Sequence, residues 1–170
     1  MITYISNKGM REFVTFDLET TGFGPAARIT EIGAVKVRCG EIVQRFDTLV
    51  NPGMPIPMNI TALTGITNAM VADAPYIHEA LPVFLAFTEG LPLVAHNARF
   101  DCGFIQREMD RQGLERELFV ADTLSLARRT WKLPSYKLGF LTDYFCIAQE
   151  EAHRAWCDAE ATAKLYMMMC

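Results

Sequence analysis

The chain has 170 residues, of which 51% are hydrophobic, and its 16 basic and 20 acidic residues leave a net charge of −4. That length and apolar content suit one domain with a full core. No apolar run approaches the roughly 18 residues of a membrane span, and Met1–Met10 lacks the basic start and apolar stretch of a secretory signal. The acidic balance argues against gripping long nucleic acid by surface charge alone. It leaves open a short substrate, a delivering partner, or metal ions as a local source of positive charge. Five cysteines (Cys39, Cys102, Cys146, Cys157 and Cys170), without CxxC spacing, predict reduced thiols in a cytoplasm, packed as small core residues.

In chain order, Met1–Arg11 reads as a flexible lead-in and residues 12–170 as a single domain. Glu12–Leu18 is the first predicted strand, running into Glu19 and a Thr20-Thr21-Gly22 turn. Alternation puts Asp17 and Glu19 on one face, about 7 Å apart, and turns Leu18 toward a core. Two such carboxylates repel unless a cation lies between them, and hard ions such as Mg²⁺ or Mn²⁺ would serve. From spacing alone, two solvated acids at a strand end are the simpler account.

Gly22-Phe23-Gly24-Pro25 is loop by composition. Arg28–Cys39 and Glu41–Val50 predict a hairpin turning at Gly40-Glu41. Asn59–Leu63 and Asn68–Asp73 predict short helical turns, and Ile77, Leu81, Phe84, Leu85 and Thr88 recur at helical spacing. Pro92–His96 is a short buried strand. Asn97 can cap the helix that follows, which Gly113 ends. Glu117–Ala121 predicts a strand, with Asp122 capping a helix to Trp131. Tyr136–Phe145 and Ala155–Cys170 are the last helices. The chain stops within the second, as a docked tail or a domain cut from a longer chain would. This order predicts an α/β domain: a mixed sheet of about five strands with helices on both faces.

Two acids break the helical pattern. Asp101 shares a stripe with Ile105 and Met109, and Asp158 one with Ala161, Thr162 and Leu165. An unpaired carboxylate on an apolar face is costly, so each needs a reason to be there. Glu160 falls on another face and reads as solvated. In one helix His153 and Asp158 would point about 140° apart, so His153 belongs in the loop before the helix, free to reach over a cleft. His78 reads as solvated, and His96 as an orienting residue at a strand end. Asp122 is explained as a cap, and Asp47, Asp73 and Asp143 as ordinary surface acids.

DLETTG (Asp17–Gly22), HNARFD (His96–Asp101) and HRAWCDAEAT (His153–Thr162) together resemble the three exonuclease motifs of the DnaQ-like, or DEDDh, 3′→5′ exonucleases. The likeness is greatest to the proofreading exonucleases of bacterial DNA polymerase III, the epsilon subunit and the exonuclease segment of the PolC-type polymerase. LTGIT (Leu63–Thr67) and ADTLSLAR (Ala121–Arg128) also fit, so it covers about Glu12 to Met168. Each motif alone is weak; three in order are specific.

The resemblance implies a ribonuclease-H-like fold with Asp17 and Glu19 on the central strand. It implies two Mg²⁺ or Mn²⁺ ions bridged by Asp17, with Glu19 and Asp158 completing one site, Asp101 nearby holding bound water, and His153 as general base. It implies substrate contacts at Leu18, Thr20, Thr21, Gly22, Leu63, Asn97 and Phe100, although Phe100 is equally plausible as core. The activity implied is metal-dependent 3′→5′ hydrolysis of DNA ends, single-stranded or frayed, releasing nucleoside 5′-monophosphates in proofreading or repair, with a DNA polymerase as a partner. Trimming of RNA ends and a non-catalytic module that binds nucleic acid or a polymerase are the alternatives.

Overall fold

The computed structural model describes residues 1–5, 9–149 and 153–169. Its centre is the strand β2 (Glu12–Thr20), preceded in the chain by β1 (Ile2–Ile5). A hairpin of β3 (Ile29–Arg38) and β4 (Glu41–Leu49) follows, pairing antiparallel on one side of β2. On the other side lie the parallel strands β5 (Leu93–Ala95) and β6 (Leu118–Asp122), with β1 at the edge, giving the order β1-β6-β5-β2-β3-β4.

The fold is the mixed α/β sheet expected, with six strands instead of about five. The additional strand comes from the segment read as a flexible lead-in: Ile2–Ile5 pairs parallel with Leu118–Ala121. Four residues without a clear alternation carry no strand signal of their own, and the partner lies more than a hundred positions away.

The helices are α1 (Met58–Thr64), α2 (Asn68–Val71), α3 (Ile77–Phe87), α4 (Arg99–Gln112), α5 (Thr123–Thr130), α6 (Leu138–Tyr144) and α7 (Ala155–Met168). Among the described residues no helix is long and apolar enough to cross a membrane. Alternation along β2 sorts the core into two layers. Val14, Phe16 and Leu18 pack with Leu81 and Phe84 of α3 and Ile105 and Met109 of α4. On the opposite face, Phe13 packs with Leu126 of α5, Leu141 of α6, and Leu165 and Tyr166 of α7. Phe13 and Tyr166 meet edge to face at 4.8 Å, both essentially inaccessible. Burying each such ring contributes about 1.5–3 kcal/mol. Asp17 and Glu19 share the Phe13 face, the one α7 covers.

The start of α7 sits unusually close to the sheet. At Gly33 of β3, a Cβ would lie 2.1 Å from the Ala155 carbonyl carbon and the Trp156 nitrogen. Only a residue without a side chain lets helix backbone rest there. The buried Thr15 hydroxyl donates to the Ala159 carbonyl at 2.7 Å, a second tie between β2 and α7. Cys102 and Cys157 are buried as expected of core residues, whereas Cys39 and Cys146 are exposed in turns. Cys170 lies outside the described residues.

Candidate active site

The acids meet at the C-terminal end of β2 and arrive from both faces of the sheet. Asp17 and Glu19 project from β2 toward α7, whose first turn carries Asp158. Asp101 comes from the first turn of α4, on the opposite layer. It reaches the site because β5 is short and pairs with β2 only at Val14 and Thr15. Beyond that point the Leu18 N–H donates to Asp101 Oδ1 at 3.2 Å. Asp101 is only 2% exposed.

Glu19, His153 and Asp158 each offer a ligand atom, all within 4.8 Å of one another. His153 stands in the turn before α7, exposed, with φ +63°. A left-handed histidine is uncommon and marks a backbone held in place by its surroundings.

Crowding of like charges shows in the acidities. Burial, then the charges of Asp158, Glu31 and Asp101, pushes Glu19 up to about 8. Burial, opposed by backbone hydrogen bonds, pushes Asp101 up to about 8. Asp17 is raised well above the carboxylate range by burial and then by Asp101, Asp158 and Glu19. Asp158 is raised by burial, although His153 and the Gln149 amide pull it back. Four partly or fully buried carboxylates in one place cannot all ionise at neutral pH unless positive charge is supplied. The donors are oxygen-rich with one imidazole, a set that fits Mg²⁺ or Mn²⁺.

The residues expected to touch substrate divide. Leu18, Thr20, Gly22, Leu63 and Phe100 line one small cleft beside Glu19, about 150 Å³ in volume, with Phe23, Ile60 and Thr64. The Leu18 side chain is buried as alternation requires and forms part of the wall. Leu63 is 54% exposed and Phe23 85% exposed, with the Phe23 ring edge-on to Phe100 at 5.7 Å. Phe100 also packs on Phe104 at 5.1 Å, so it serves both core and cleft. Thr21 does not join the lining: it is buried and its hydroxyl accepts from the Arg28 N–H at 3.0 Å, closing the loop between them.

Asn97 does not cap α4. It has φ +61°, Ala98 is the cap position without a side-chain bond, and the Asn97 and Ala98 N–H groups donate instead to Asp122 Oδ1. Asp122 caps α5 through Leu124 N–H and Ser125 Oγ as expected, and so ties two helix starts together. Asn97 opens onto a neighbouring cleft of about 580 Å³ with Arg128 and Lys137. His96 is partly buried there, its ring nitrogens 2.8 Å from Thr123 Oγ1 and 2.8 Å from the Tyr136 carbonyl. Burial lowers its basicity.

Three residues at the site escaped the sequence reading. Gln149 donates to Asp158 Oδ1 at 2.7 Å and accepts from Thr142 of α6. Glu31, fully buried in β3 opposite Glu19, binds Arg154 and the Ala155 N–H. Phe23 was read as loop. Only Glu31 carried a signal, an acid inside an apolar strand. One reading needs correcting: Glu160 is paired, to Arg45 at 2.6 Å and Lys164 at 2.9 Å. Asp47 is exposed, as a surface acid should be, although partial desolvation and then Glu31 push it up to about 6.

Comparison with known proteins gives a consistent result. The sequence profile of the exonuclease (RNase_T) family matches residues 14–166. DNA polymerase III PolC-type from Caldanaerobacter subterraneus subsp. tengcongensis is 49% identical over 160 residues, 93% of this chain, which spans 11% of that relative's length. Among solved structures, exonuclease X in complex with 5′-overhanging duplex DNA superposes with TM-score 0.73 at 32% identity, covering 92% of this chain and 90% of that one. The nuclease domain of 3′hExo, a DEDDh family member, bound to rAMP, shares the fold at TM-score 0.80 and 18% identity over 94% of this chain and 91% of that one.

Proposed function

The chain belongs to the RNase_T exonuclease family, of the DnaQ-like type, and we propose that it is a metal-dependent 3′→5′ exonuclease acting on single-stranded or frayed DNA ends and releasing nucleoside 5′-monophosphates. The observation that carries this reading is the meeting of Glu19, Asp158 and His153 within 4.8 Å, beside the half-buried Asp17 and the buried Asp101. Asp17, Glu19, Asp101 and Asp158 would hold two Mg²⁺ or Mn²⁺ ions. Such ions supply positive charge against the attacking and leaving oxygens of a phosphodiester.

The protein's own side chains then have definite tasks. His153, exposed and outside the packed layers, takes a proton from the attacking water, the general-base role that imidazole side chains fill most often. Gln149 and the turn before α7 keep Asp158 aimed at Glu19. The terminal nucleotide sits in the cleft of Leu18, Thr20, Gly22, Leu63 and Phe100. A base can stack on the exposed Phe23 ring and pack against Leu63 without regard to sequence, as removal of any terminal nucleotide requires. Gly22, at φ +142°, leaves space beside the backbone where a Cβ would stand. Arg128 and Lys137, in the adjoining cleft, give a phosphate backbone local positive charge on an acidic protein.

DNA is favoured over RNA because the 49% identical relative is a DNA polymerase, and the same likeness supports proofreading beside a polymerase. The test is a time course on 5′-labelled single-stranded DNA and RNA, with and without chelator. A ladder of shortening DNA products that chelator abolishes is expected, with Asp17→Ala and Asp158→Ala folded and inactive. A fully active Asp17→Ala protein would falsify the assignment, and faster loss of RNA would transfer it to RNA trimming.

A further inference from the structure

The most deeply buried carboxylate at the site is not one of the four proposed ligands. Glu31 has no accessible surface. It lies directly across the β2–β3 ladder from Glu19, on the face that α7 covers. A buried carboxylate is tolerated only when its oxygens are satisfied, and these are. Oε1 accepts from Arg154 Nε at 2.9 Å and Nη2 at 2.6 Å. Oε2 accepts from the Ala155 N–H at 2.8 Å. All three bonds go to the two residues that follow His153.

The consequence is geometric. Ala155 begins α7, and its N–H is among the helix-start donors that lack an intrahelical partner. Arg154 occupies the cap position without a side-chain cap of its own. Glu31 therefore acts as a cap in trans, from a strand far away in sequence, while gripping the residue beside the strained His153. Gly33, two residues on, provides the notch that lets Ala155 and Trp156 backbone approach the sheet. The two observations are independent and converge on one point of the chain.

We infer that Glu31 is a positioning residue for the exonuclease reaction: by clamping Arg154 and Ala155 to β3, it holds the turn that presents His153 over the site. The inference rests on the proposed role of His153 as the base. A fork of two bonds to a guanidinium and one to a backbone N–H fixes both distance and rotation, which a side chain carried on a turn otherwise lacks.

A double-mutant cycle tests this, using the 170-residue chain with Mn²⁺ and 5′-labelled single-stranded DNA. Wild type, Glu31→Gln, His153→Ala and the double variant are compared in kcat, KM and Tm. Glu31→Gln keeps the size of the side chain but sets an amide donor against donors. It should lower kcat by at least about tenfold and leave KM within about twofold. In the His153→Ala background the same change should cost less than about twofold, because residues acting as a unit are not additive. A purely structural role would instead multiply the two losses, and that result overturns the inference, as does a Glu31→Gln protein with wild-type kcat.

If His153→Ala turns over at the wild-type rate, the role of His153 falls and this inference with it. A slow His153→Ala with multiplying losses removes this inference alone. Should Glu31→Gln not fold, as judged by circular dichroism, Arg154→Lys replaces it in the cycle. That change keeps the charge and removes the fork, and the same two outcomes decide.

Discussion

Gly33→Ala isolates the seating of α7 from every charged group at the site. The added methyl would stand 2.1 Å from helix backbone, whereas ordinary contact begins at 3.4 Å, so helix and sheet must part by about 1.3 Å. The obstacle is main chain, which has no rotamer to adopt. Overpacking of this kind costs about 1–3 kcal/mol, and a backbone obstacle puts the cost at the upper end. For a chain of this size, about 3 kcal/mol lowers Tm by roughly 6–12 °C. The displaced element carries Asp158 and follows His153, and a misplacement of about 1 Å can cost on the order of 100-fold in rate. Thermal unfolding and turnover on single-stranded DNA, measured on the same preparation, check both numbers. A variant that melts within about 2 °C of wild type at full turnover would show that the close approach of α7 is not needed.

Metal-free protein should lose stability as pH rises. Glu19 and Asp101 are pushed up to about 8 from 4.5 and 3.8, chiefly by burial. A raised carboxylate binds its proton more tightly when folded, so its contribution is complete below the unfolded value and is lost as pH climbs through about 8. Melting in EDTA should therefore fall between pH 5 and about 8, Mn²⁺ should raise Tm more at pH 8 than at pH 6, and Glu19→Gln should flatten the EDTA profile. A metal-free Tm that is flat or rising over that interval would contradict the crowding of acids. Leu63→Ala, at a position 54% exposed, should leave Tm unchanged and raise KM several-fold, each methylene covered by a base being worth about 0.8 kcal/mol. An unaltered KM would remove Leu63 from the substrate cleft.

Local pattern was enough for much of this protein. Alternation in EFVTFDLET puts Asp17 and Glu19 on one face with Leu18 on the other, because a strand's side-chain period is two whatever it packs against. The apolar stripes of α4 and α7 exposed Asp101 and Asp158 as acids out of place, and three motifs in order led to the family. The hairpin, the breaks at Gly113 and Asp122, and His153 in a turn outside its helix follow from short-range preferences.

What required the tertiary structure was each case in which a residue takes its meaning from a distant partner. Ile2–Ile5 is a strand only because β6 offers an edge. Asn97 looks like a cap until Asp122 is seen to take its N–H. Phe23, Leu63 and Phe100 form a cleft only when three separate segments close on one another. Glu31 is in sequence one acid within an apolar strand, and its register opposite Glu19 and its bonds to Arg154 and Ala155 depend on how the sheet pairs and how α7 docks. Periodicity reports which way a side chain faces; which remote group it meets is set by packing, and on that packing rests the convergence of the acids.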